Sequence, residues 1–149
     1  MTRYPRLPAA IVLLAAAVCC GVYVRTAISR NNGNGMSLHE LEAAIAAGKA
    51  DAAIWQAYGQ RCAEAKRFRE AAAAFRRVME LAPSREATVA CAAALARTSG
   101  DELYEFLKEL VNTDPKLVVE LLERPEMQPH LRETRFDVLQ KDARAQAMD

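Results

Sequence analysis

Residues 52–85 carry apolar and small side chains at helical rather than strand spacing. Trp55, Tyr58, Gly59 and Cys62 recur at intervals of three and four, and so do Ala71, Phe75 and Val78. Each set falls on one face of an α-helix, which predicts helices over about 51–65 and 68–81 with a turn near Lys66-Arg67. Gly59 and Ala71 let two backbones approach closely. Trp55 and Phe75 are placed to fill the gaps beside that contact, and Pro83 ends the second helix. Abundant alanine and an aromatic content of 6% favour packed helices over sheet.

The pattern continues on both sides. Ser37 and Glu40 have the spacing of a capping box, so a helix is expected from Leu38 to about Ala47, stopping at Gly48, with Leu38, Leu41, Ala44 and Ile45 on its apolar face. Downstream, helices are expected over 85–98 and 101–112, separated by a short turn at Thr98-Ser99-Gly100. The second has Leu103, Leu107 and Leu110 on one face and Glu102, Glu105 and Glu109 on another. Asp114-Pro115 has the form of an N-cap followed by Pro at the first helical position. It opens a helix with the stripe Leu117, Val118, Leu121 and Leu122, which ends at Arg124-Pro125. Residues 141–149 are expected to fray. The fold class is therefore all-α.

Trp55, Tyr58, Gly59, Cys62, Ala71, Phe75 and Pro83, with Phe68 after the turn, resemble the tetratricopeptide repeat, a helix–turn–helix unit of about 34 residues. The resemblance implies an α-solenoid of antiparallel helix pairs over 37–140, with these residues as its packing positions. Cys62 stands where Tyr is usual, Val78 where Ala is usual, and Lys66 where the turn glycine is usual. In a 34-residue register Val89, Ala92, Ala93 and Ala96 take the positions of Trp55, Tyr58, Gly59 and Cys62. Leu131-Arg132, Arg135-Phe136 and Leu139 resemble a segment that closes such arrays in bacterial proteins, which implies a capping helix. In this family the first helix of each repeat lines a concave groove for an extended peptide or a partner helix. Carried over by position, the groove here would be Ala53, Gln56, Gln60 and Ala63, then Ala90, Ala94 and Arg97. Gln56 and Gln60 stand where a carboxylate clamp would use Lys and Asn, so chaperone C-termini are not the expected ligand.

The N-terminus has a different character. Leu7 to Val24 contains no charged residue. As a helix these residues span about 27 Å, close to the ~30 Å hydrocarbon core of a bilayer. Pro8 lies in the first turn, and Tyr4 and Tyr23 near the two interfaces. Residues 1–24 read as an uncleaved signal-anchor helix, with a cleaved signal peptide and a lipidated cysteine as alternatives. Cys19-Cys20-Gly21 fits both alternatives poorly. Arg3, Arg6 and the free amine slightly outweigh Arg25 and Arg30. The N-terminus is then expected in the cytoplasm and the repeats across the membrane, in the periplasm if the cell is bacterial. Residues 25–36, rich in Asn and Gly, read as a flexible linker.

Charge and chemistry narrow the function. Residues 1–36 hold four arginines and no acid. Of the 20 basic residues this leaves 16 against 19 acids, a balance of −3 for residues 37–149. That is no footprint for nucleic acid. His39 and His130 have no partner at ligand spacing and read as surface residues. Cys62 and Cys91 read as small core residues, with a bridge between them open only in an oxidising compartment. No phosphate loop or nucleophile motif is present, so neither enzyme activity nor a cofactor is expected. The expected function is a membrane-anchored adaptor that docks another protein. Bacterial proteins of this plan assist envelope assembly. The alternative is a structural subunit of a membrane complex, held through its transmembrane helix.

Overall fold

The computed structural model describes residues 35–148. The expected membrane segment 7–24 and residues 25–34 of the linker lie outside the described residues. No helix among the described residues is long and apolar enough to cross a membrane. The described chain is all-α, with seven α-helices, two 3-10 turns and no strand: α1 Leu38–Ala46, α2 Ala52–Glu64, α3 Phe68–Leu81, α4 Arg85–Leu95, α5 Gly100–Val111, α6 Pro115–Leu122 and α7 Thr134–Gln146, with the turns Pro125–Met127 and His130–Arg132 before α7.

Local chemistry sets these boundaries. Ser37 and Glu40 form a complete capping box. Asp51, Ser84, Ser99 and Asp114 each accept a hydrogen bond from the backbone N–H three residues on, which satisfies one of the donors a helix start leaves unpaired. α1 and α2 end alike. Gly48 at φ 68 and Lys66 at φ 59 are both left-handed. The following amide of each motif reaches back five residues, Lys49 to the Ala44 carbonyl (3.1 Å) and Arg67 to the Cys62 carbonyl (2.8 Å). These are Schellman closures, and in the second a lysine occupies the strained position that suits glycine. Short connections fold consecutive helices back on one another, and each of the first six packs on the next.

Two apolar clusters result. The smaller joins α1 to α2 through Leu41, Ile54 and Ala57. The larger runs from Cys62 through α3, α4, α5 and α6 to Phe136, Leu139 and Ala143 of α7. Tyr58 touches both, and its hydroxyl donates to Glu70 at 3.2 Å. Arg67 binds the same Glu70 and also Glu42 of α1. The three helices are thereby tied by a polar network at the edge of the core.

Several sequence expectations are corrected. Trp55 fills no gap beside Gly59. It is half-buried, edge-on to Tyr58 with ring centroids 6.1 Å apart, while the inner face of α2 belongs to Ile54, Ala57, Gly59 and Cys62. The side chain nearest the Gly59 Cβ position is Phe75. α4 ends at Leu95 and not at 98, because the amides of Thr98 and Ser99 turn back onto the Leu95 carbonyl. The 34-residue register is not kept there. The N-caps Asp51 and Ser84 are 33 residues apart, so Ala92, fully buried, takes the place in α4 expected for Ala93. The packed chain also continues beyond 140, with α7 reaching Gln146 and Ala143 fully buried.

Candidate functional site

An open cleft of about 570 Å³ lies between α2, α3 and α4. Its floor is apolar. Phe75 packs under Gly59, Phe68 is half-buried at the start of α3, and Ala63, Ala90, Ala93 and Ala94 line the sides. The small side chains follow from alanine-rich helices packed closely, which leaves the two phenylalanine rings as the only large apolar surfaces in the cleft. At its rim stand Gln60, Glu64, Lys66 and Arg97. The Arg97 guanidinium lies over the Phe68 ring, with Cζ 5.1 Å from the centroid, a cation–π contact. Glu64 is held by Arg61 at 3.0 Å.

Of the groove residues expected from sequence, Gln60, Ala63, Ala90, Ala94 and Arg97 come together here. Ala53 and Gln56 do not line it. They sit one to two turns nearer the α2 N-terminus, whereas the cleft opens beside its last two turns. Phe68, Phe75, Ala93 and Lys66 belong to the cleft and were assigned only to packing or to the turn. The signal that finds the two rings is their spacing of seven, which puts them on one stripe of α3.

No family model matches this chain, and no curated protein or solved structure matches it. The site therefore rests on its own geometry.

Elsewhere the described residues offer little chemistry. No group of three or more His, Cys, Asp or Glu among them is arranged to hold a metal ion. His39 is exposed. His130 is not the surface residue expected from sequence. Its side chain is 14% exposed, and Nε2 lies 2.8 Å from the Ala96 carbonyl. It pins the segment before α7 to the end of α4. Cys62 and Cys91 are buried free thiols with no bridge between them. Burial pushes the Cys91 thiol up to about 11, and its Sγ–H donates weakly to the Ala72 carbonyl at 3.8 Å. Burial also raises the Cys62 thiol, against the opposing hydrogen bond to Tyr58. Thiols in this state are poor nucleophiles. Glu102, Glu105 and Glu109 form an exposed acidic face on α5, with Arg76 and Phe106 beside them.

Proposed function

We propose that this protein is a membrane-anchored adaptor of the tetratricopeptide type, which holds a segment of another protein in the α2–α4 cleft. The observation that carries the reading is the cleft itself, an open and apolar surface with two aromatic rings at its floor. Sites of this kind bind through burial of apolar side chains, with a few polar groups setting orientation. The spacing of Trp55 to Pro83, and helices folded back in sequence order, support the family reading. The uncharged run Leu7–Val24 supports the anchor, with the helical domain on the far side of the membrane from the N-terminus. Anchoring raises the effective concentration of the cleft near other membrane proteins, so modest affinity suffices. Assembly of envelope complexes is the setting this plan fits best, and the reading involves neither catalysis nor a cofactor.

The test is a pull-down of the tagged full chain from detergent extract, comparing wild type with a blocked variant, Ala63→Trp plus Arg97→Glu. Ala63 is half-exposed and Arg97 exposed, so both changes alter the cleft, and a circular dichroism spectrum matching wild type checks that the variant is folded. Loss of partner proteins from the variant is the expected result. Unchanged recovery would exclude the cleft.

A further inference from the structure

The charges around the cleft say more about what enters it. The domain carries an excess of acid, and most Arg and Lys side chains among the described residues pair with a carboxylate: Arg67 with Glu42 and Glu70, Arg76 with Glu102, Arg77 with Glu80, Arg135 with Asp101 and Glu133. Lys66 and Arg97 are among those with no such partner in the described residues, and both stand at the rim of the α2–α4 cleft with Phe68 and Phe75. The rim carboxylate, Glu64, is engaged by Arg61. The cation–π contact with Phe68 takes up none of the Arg97 N–H donors in an ion pair, and Arg97 is exposed, so it can still pair with a carboxylate.

The cleft is also not closed at its far side. Ala90 and Ala93 are shared with a second depression of about 340 Å³, bounded by Arg85, Glu86, Val89 and Arg124. A chain lying in the first cleft can therefore run on across α4, which suits an internal segment better than a chain end.

We propose that the α2–α4 cleft takes an internal acidic and amphipathic segment of a partner protein, seating one bulky apolar side chain against Phe68 and Phe75 and pairing flanking Asp or Glu carboxylates with Lys66 and Arg97. The inference rests on the cleft being the docking site. It adds the sign of the partner's charge and the position of that charge within the chain.

Fluorescence anisotropy on the purified full chain in detergent tests it. The probes are labelled peptides, acetylated and amidated, with a central Phe or Leu flanked by Glu; matched peptides replace Glu by Gln, Glu by Lys, or the central residue by Ala. The acidic peptide is expected to bind, with binding weakened by added salt. Its Gln counterpart is expected to bind about tenfold more weakly, the scale of a lost charge-assisted hydrogen bond. Lys66→Glu with Arg97→Glu should reverse the preference toward the Lys-flanked peptide. The comparison of peptides on the wild-type protein needs no variant to fold. Equal binding of Glu and Gln peptides overturns the charge inference and leaves the adaptor reading standing. A further acidic peptide is left with its C-terminal carboxylate free; binding by that peptide and not by its amidated counterpart overturns the internal-segment claim. Absence of binding by the acidic peptide, or binding that Ala93→Trp leaves unchanged, overturns the proposal; the second result overturns the cleft as the docking site with it.

Discussion

Single residues decide how closely the helices pack and how the core responds to pH. A Cβ built on Gly59 would lie 2.8 Å from Cε1 and 2.9 Å from Cζ of Phe75. Both are ring atoms of a side chain buried in the core, so the ring has little room to retreat. Gly59→Ala is expected to destabilise the domain by about 1–3 kcal/mol in urea unfolding followed by circular dichroism, despite alanine's better helix propensity. The same change moves the cleft floor and should weaken partner capture. Cys91 sets a second expectation. Burial raises its folded-state pKa from 9.0 to about 11, so the unfolded chain loses its proton first as pH rises. The stability this neutral thiol contributes is complete below pH 9 and is lost between about 9 and 11. Peptide mapping after alkylation should therefore find Cys91 unmodified in the native protein at neutral pH and modified in denaturant. Trp55 shows where sequence reading fails at this scale. Helical periodicity identifies a face about 100° wide but not which edge of it meets the neighbour. Ile54, one position away, is the residue that turns inward.

At the scale of the element, the helices were legible wherever a cap or a breaker was written in the sequence. Ser37, Asp114-Pro115 and Pro83 mark boundaries because each fixes a hydrogen bond or removes one. The end of α4 was not legible, since Ala96 and Arg97 are as good helix formers as the residues before them. The Thr98 and Ser99 amides turn back onto the Leu95 carbonyl, and the tertiary contacts of His130 with the Ala96 carbonyl and of Arg97 with Phe68 hold the turn in place. The α2–α3 turn holds a lysine at φ 59, a conformation costing a side-chain-bearing residue about 1 kcal/mol or more. Lys66→Gly is expected to stabilise the domain by about 1 kcal/mol, read as a higher urea midpoint at unchanged slope. By the charge argument above it should also weaken binding of acidic peptides, which separates the lysine's role at the rim from its poor fit to the turn. α7 packs on α5 and α6. Phe136 is fully buried, edge-on to Tyr104 at 5.7 Å, with Arg135 bridging to Asp101 of α5 at 2.6 Å. Phe136→Ala should cost about 3–5 kcal/mol. Because α5 and α6 lose their cover with it, the loss should appear as early exposure of the C-terminal half in hydrogen exchange.

For the whole molecule, the sequence gives more of the fold than of the site. An apolar face repeated every few residues has one good solution, burial against the next helix, and short connections leave little choice of neighbour. A cleft is what that packing leaves uncovered, and it depends on small changes of rotation. The step from 34 to 33 residues between Asp51 and Ser84 turns Ala92 inward and brings Ala93 to the cleft wall. Carry-over on a fixed register reached Ala90, Ala94 and Arg97 but missed Ala93, and it included Ala53 and Gln56 because sequence does not show that the cleft opens only beside the last two turns of α2. The adaptor reading joins this cleft to an anchor at the other end of the chain. It also separates from a subunit held by its membrane helix: replacing residues 7–24 with an unrelated anchor should leave the partner bound.

Photo-crosslinking in native membranes measures the occupant of the cleft directly. A photoreactive amino acid replaces Ala93 at the cleft wall in one variant and Val138, 58% exposed on α7, in another. The expected result is a discrete crosslinked protein from position 93, lost on adding Ala63→Trp with Arg97→Glu and not formed from position 138. A crosslink from 138 with none from 93, or equal products from both, would contradict the α2–α4 cleft as the docking surface.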